Sequence, residues 1–88
     1  MGLFLQTAII QNCRQNEAER VIRELAYNSR FGLMAEECDY MEFDKGVSIL
    51  FNDHCIGYEK LAETLSKEVK QPVMLLYIYD EFLGILFI

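Results

Sequence analysis

The chain has 88 residues, of which 52% are apolar and 25% are charged, which is typical of one globular domain and not of a disordered segment. Its net charge of −6 argues against nucleic-acid binding, because the phosphate backbone attracts basic surfaces and repels acidic ones. Three cysteines cannot all pair within one chain, so we expect reduced thiols and a cytoplasmic protein.

The N-terminal third of the chain predicts a strand followed by a helix. Residues 3–11 are rich in apolar side chains with few helix signals and predict the first strand. After a polar break, Asn16 with Glu19 three positions later has the pattern of a capping box at a helix start. Apolar residues then recur at three- and four-residue intervals, as on a buried helix face: Ala18, Val21, Ile22, Leu25 and Ala26. Gly32 predicts a left-handed cap that ends this helix near Arg30.

The middle of the chain predicts a strand hairpin and a second helix. Residues 38–44 form the predicted second strand, and a tight turn at 44–46, with glycine at its end, leads into a third strand at 47–52. A second amphipathic helix covers residues 58–69. Pro72 stops this helix and begins the fourth strand, since proline cannot continue a helix.

The C-terminal run from residue 73 onward is almost entirely apolar. Asp80 and Glu81 divide it, so we interpret it as a hairpin with an extra fifth strand at 82–88 and not as a membrane helix. No basic leader precedes an apolar segment at the N-terminus, and we therefore expect neither a secretory signal nor a membrane partner. Because chain ends are usually exposed, four bulky apolar residues at 85–88 also suggest the N-terminal part of a longer protein.

Strand, helix, strand, strand, helix, strand is the order of a ferredoxin-like α+β sandwich. We predict one domain over residues 1–88, with two helices on one face of an antiparallel sheet and the extra strand at its C-terminal end. We also expect the first and third strands to be central, parallel neighbours. The loops that follow them, 12–16 and 52–57, would then leave the same end of the sheet beside two helix N-termini.

This arrangement predicts a ligand-binding site at that end of the sheet, next to Asn52. The two loops contribute polar and metal-ligating side chains, namely Asn12, Cys13, Asn16, Asp53, His54 and Cys55. Three kinds of chemistry suit them: a metal ion held by cysteine and histidine, a reactive thiol whose pKa is lowered at a helix start, and a small anion or metabolite. The competing interpretation is structural, with ordinary turn and capping residues, and with Cys38 as a buried apolar side chain beside Tyr40.

None of these chemistries has its full motif in the sequence. There is no Cys-x-x-Cys pair, no Gly-rich phosphate loop and no matched set of acid, base and nucleophile. We therefore assign no catalytic residue, no metal and no cofactor, and an enzyme is the least favoured class of protein.

The fourth strand is apolar on both of its faces, whereas the helices of such a sandwich cover only one. Either the fifth strand completes the sheet, or a second copy or another protein covers the apolar surface. The interface residues predicted for a dimer or a protein complex are Leu75, Tyr77, Tyr79, Phe82 and Phe87. We thus predict a small acidic protein–protein interaction module; the alternative is a ligand- or metal-binding regulatory domain that uses the 12–16 and 52–57 loops.

Overall fold

A computed structural model describes residues 4–28, 31–52, 57–79 and 82–88. Five strands and two α-helices lie within them, and a short 3₁₀ turn at Ala35–Glu37 precedes the second strand. In chain order they are β1 (Phe4–Gln11), α1 (Gln15–Tyr27), β2 (Asp39–Phe43), β3 (Gly46–Leu50), α2 (Tyr58–Val69), β4 (Val73–Tyr79) and β5 (Phe82–Phe87).

The strands form one sheet in the order β2-β3-β1-β4-β5, and every neighbouring pair is antiparallel. Both helices pack on the same sheet, α1 against β2 and β3 and α2 against β4. The predicted ferredoxin-like α+β sandwich with an extra C-terminal strand is therefore confirmed.

The predicted parallel pairing of the first and third strands is wrong. In the β1–β3 pair, Thr7 lies opposite Leu50 and Gln11 lies opposite Gly46, so the end of β1 meets the start of β3. Helix α1 returns the chain to the start of the sheet, so that β2 runs in the same direction as β1. The tight turn between β2 and β3 then reverses the chain, and β3 is therefore antiparallel to β1. The loops that follow β1 and β3 consequently leave opposite ends of the sheet.

The core lies between the helices and one face of the sheet. Ala8 and Ile10 of β1 are fully buried there, flanked by residues of β3 and β4 that are also buried. The predicted apolar faces of both helices are confirmed by their buried residues: Ala18, Val21, Ile22, Leu25, Leu61, Ala62, Leu65 and Val69. Removal of these side chains from water is the main favourable contribution to folding.

The predicted capping box at the start of the first helix is wrong. Arg14, not Asn16, is the N-cap residue, so helix α1 begins two residues earlier, at Gln15, and the Gln15 N–H donates to Oε1 of Glu42 at 2.8 Å. The Arg14 guanidinium lies 3.8 Å from the Glu42 carboxylate and donates to the carbonyl oxygens of Phe43 and Asp44, each at 3.2 Å. A carboxylate from β2 thus satisfies a free amide at the positive end of the helix dipole.

The first helix also ends earlier than the sequence predicts. Its last residue is Tyr27, and the Asn28 N–H donates to the Glu24 carbonyl at 3.2 Å. Gly32 does adopt the left-handed conformation, with φ of 65°, but in a separate turn after Phe31. The glycine shapes the connection to β2 and does not cap the helix.

The prediction that Leu75 belongs to an interface is also wrong. Leu75 lies opposite Ala8 and Leu86 and has no exposed surface. The face of β4 that the helices leave uncovered carries instead Met74, Leu76 and Ile78.

Two variants, each with a charge at one of two adjacent residues of β4, test which face of the sheet packs against the helices. We expect Leu75→Asp to unfold the chain, because burying a carboxyl group without a partner costs several kcal/mol, against a total stability of about 5–15 kcal/mol. Leu76→Asp should remain folded, because its side chain has access to water from the other face. Far-UV circular dichroism and amide dispersion in NMR spectra measure the difference; a folded Leu75→Asp beside an unfolded Leu76→Asp would reverse the two faces.

Candidate functional site

Asn12 and Asn52, which begin the two loops predicted to share one ligand site, lie at opposite ends of the sheet. The Asn12 N–H donates to the Lys45 carbonyl at 2.7 Å, which places Asn12 beside the turn that precedes β3. Asn52 follows the other end of β3, and a strand of this length spans roughly 16 Å. Residues Asp53, His54 and Cys55 lie outside the described residues, so their predicted role stays a prediction.

The side chains of the first loop do not converge on a common point. Asn12 is exposed in a left-handed turn conformation, with φ of 56°, and Asn16 is exposed on the first turn of α1. Cys13 points into the core, and burial raises the pKa of its thiol, with a further increase from the neighbouring Glu17 carboxylate. The lowered thiol pKa expected at a helix start therefore does not occur at Cys13, and its protonated sulfur is neither exposed nor nucleophilic.

Asn52 has a structural role that sequence reasoning missed. Its buried side chain accepts a hydrogen bond from the Met34 N–H at 3.0 Å and donates one to the Gly32 carbonyl at 3.0 Å. The Cys38 Sγ lies 3.7 Å from its Oδ1 atom. Asn52 therefore ties the end of β3 to the segment that leads into β2.

The prediction that Cys38 is buried is confirmed. Burial raises the pKa of its thiol, and the nearby carboxylates of Asp39 and Glu37 raise it further, against a hydrogen bond with Asn52 that lowers it. Burial also raises the pKa of the half-buried Tyr40 hydroxyl well above its ordinary value. Both side chains thus remain neutral throughout the physiological pH range.

The described part of the chain contains no cluster of side chains that could hold a metal ion. Nowhere in residues 4–28, 31–52, 57–79 and 82–88 do three histidine, cysteine, aspartate or glutamate side chains come close enough to hold one ion. Within the same residues, no helix has both the length and the apolar character needed to cross a membrane.

The most unusual surface of the molecule is the sheet face opposite the helices, which we call the open face. Strand alternation and the strand register assign side chains to it. They are Leu5, Thr7, Ile9, Gln11, Asp39, Met41, Phe43, Ser48, Leu50, Met74, Leu76, Ile78, Leu83, Ile85 and Phe87. Asp39, on the β2 edge, is the one charged residue among them.

Apolar side chains run across the open face in continuous rows. In one row, Ile9 pairs with Met74 and Met74 pairs with Phe87. The next row pairs Leu76 with Ile85. A groove of about 170 Å³ lies beside the first row, at the end of the face where β1 ends and β4 begins, and is bordered by Ile9, Gln11, Pro72, Val73, Met74 and Phe87. Such a surface is larger and more apolar than isolated surface side chains produce.

The remaining predicted interface residues lie in different environments. Phe87 is on the open face and Phe82 is on the helix side of β5, and each is 75% exposed. Tyr77 is half-buried on the helix side, and its ring lies over Gly84, where a Cβ atom would collide with it. For Tyr79, the structure describes the backbone pairing with Phe82 but not the side chain.

Comparison with known proteins identifies no relative: no family model, no curated protein and no solved structure matches the chain.

Asn52 and Asn16 offer a matched test of the two loops. Asn52→Ala removes the side chain that hydrogen-bonds the Gly32 carbonyl and the Met34 N–H. Each of these two partly buried groups then lacks that partner, which lowers the free energy of unfolding by about 1–3 kcal/mol per group. Asn16→Ala should change the free energy of unfolding by less than about 0.5 kcal/mol, because the side chain is exposed. Urea denaturation measures both; equal effects would contradict the structural role of Asn52.

The buried thiols and Tyr40 predict a loss of stability at alkaline pH. The folded chain keeps the protons of Cys13, Cys38 and Tyr40 because their pKa values are raised, whereas the unfolded chain releases them near pH 9 to 10. Their contribution is therefore complete below about pH 9 and is lost as the pH rises towards the folded-state values. Urea unfolding between about pH 8 and pH 10.5 should show a falling free energy of unfolding, with a smaller fall in Tyr40→Phe. A constant or rising free energy would contradict the burial of these groups.

Proposed function

We propose that this protein is a small interaction module that self-associates through its open face. The observation that carries the proposal is the apolar composition of that face, which the two helices leave uncovered. Exposed Met41, Ile85 and Phe87 lie within it, whereas Ile10 and Leu75 on the other side of the sheet are fully buried. Covering this surface removes apolar area from water, which is the dominant favourable term in association.

The size of the open face is sufficient for a specific contact between two copies. Five strands spaced about 4.8 Å apart and averaging about 20 Å in length present a face of roughly 500 Å². Two copies that cover each other's face bury roughly 1,000 Å² or more, which reaches the lower bound for a specific interface. Sheets packed in this way lie about 10 Å apart, and the same patch on both copies forms the contact.

The charge distribution favours a second copy over a charged partner. The chain carries a net charge of −6, yet among the residues that the structure describes only Asp39 brings a charge to the open face, at its margin. Repulsion between two acidic copies is therefore weak at the contact itself, because most charged residues lie on the helices and turns. A strongly charged partner would find no complementary group there.

The proposal extends to a cytoplasmic location. Cys13 and Cys38 are free and buried, so the assembly depends on packing and not on disulfide bonds between these residues. Such an interface is compatible with a reducing compartment.

A lysine placed in the open face should weaken self-association. Leu76→Lys puts a charge in the middle of the contact, and its desolvation should raise the dimer dissociation constant by at least about tenfold. The matched control is Tyr27→Lys, which changes an aromatic residue that is 89% exposed on α1. Light scattering coupled to size-exclusion chromatography, over a wide range of concentrations, measures the mass of each variant.

Three results would contradict the proposal. They are a parent protein that stays monomeric at every concentration, a Leu76→Lys variant that associates as strongly as the parent, and a Tyr27→Lys variant that dissociates equally. The first would leave docking of a different protein as the remaining use of the open face.

A further inference from the structure

We infer a second contact between copies of this chain, in which the outer edge of β5 pairs with the same edge of another copy. The observation behind it is independent of the open face: the two edges of the sheet differ in their protection. The β2 edge carries exposed Asp39 and Glu42, which discourage strand pairing. The β5 edge, residues 82–88, contains neither a charged residue nor a proline.

The backbone of β5 defines which groups are available for pairing. Val73 and Ile88 exchange two backbone hydrogen bonds, at 3.0 and 2.9 Å, and bonded residues alternate along an antiparallel pair. The N–H and C=O groups of Gly84 and Leu86 therefore point towards β4. Those of Leu83, Ile85 and Phe87 point away from the sheet.

One register uses all of these outward groups. A two-fold axis at Ile85 places Ile85 opposite Ile85 of the second copy, and Leu83 opposite the second copy's Phe87. Every outward N–H and C=O from residues 83, 85 and 87 then has a partner on the facing strand. A shift by one residue would set outward groups against inward ones, and a shift by two would leave some of them unpaired.

The same register covers exposed apolar side chains. Leu83 is 66% exposed and Ile85 54% exposed in the single chain, and both gain a cross-strand neighbour on the open-face side. On the helix side, exposed Phe82 comes opposite Ile88 of the second copy. The axis is perpendicular to the sheet, so both open faces remain on the same side and stay free for the packing proposed above.

Single cysteines at two positions of the edge test this register directly. In a chain with Cys55→Ser, the Ile85→Cys variant places two sulfur-bearing residues opposite each other, with Cα atoms about 5.5 Å apart, within reach of a disulfide. The control is Leu83→Cys, because residue 83 and its symmetric copy lie four residues apart along the strands, about 14 Å. Mild oxidation followed by non-reducing electrophoresis should show a covalent dimer for Ile85→Cys only.

The outcomes separate this contact from the open-face contact. The Ile85→Cys cross-link should persist when Leu76→Lys is added, and its loss there would overturn an independent edge contact. Cross-linking of both cysteine variants to the same extent would overturn the register. Cross-linking of neither variant would overturn the edge pairing itself.

A proline at the edge gives a second, non-covalent test. Ile85→Pro removes only an outward N–H, so β4–β5 hydrogen bonds remain and circular dichroism should show a folded chain. Its dissociation constant should rise at least about tenfold in the Leu76→Lys background, where the edge is the remaining contact. An unchanged dissociation constant would contradict the edge pairing.

Discussion

The structure depends on one constraint: a sheet that is apolar on both faces has helices on only one of them. In β4, Val73 and Leu75 are buried under the helices, while Met74, Leu76 and Ile78 lie on the opposite face. An antiparallel sheet with a solvated outer face normally carries polar residues there. The described residues form two layers, the helices and the sheet, so covering the open face requires a further protein surface, which we propose is a second copy.

The order and type of the elements could be predicted because each rests on local information. The predictions use apolar periodicity, the proline and the turn before Gly46. Most of the predicted helix and strand boundaries lie within one or two residues of those in the structure. The predicted parallel direction of the first and third strands is wrong, although the sequence contains the turn that determines it. The turn at 44–46 reverses the chain after β2, so β3 must run opposite to β1. That single error placed the loop with Asn12 beside the loop with Asn52, and with it the candidate ligand site.

Other features could not be predicted because they join residues that are distant in the sequence. Glu42 caps the helix at Gln15, and Asn52 holds the backbone at Gly32. Neither pair has a local motif. The assignment of Leu75 to an interface failed for a different reason: both alternating sets of residues in β4 are apolar, so the pattern shows two faces without showing which is inside. Burial under α2 decides it.

The most direct test of the central claim is a cross-saturation NMR measurement. A mixed sample contains deuterated, ¹⁵N-labelled chains and unlabelled chains, and irradiation of the unlabelled aliphatic protons attenuates only amides at the contact between copies. We expect attenuation along β1, β4 and β5, at residues such as Ile9, Leu76 and Ile85, with little effect on α1 and α2. Attenuation centred on the helices, or none in any element, would contradict a module that associates through its sheet.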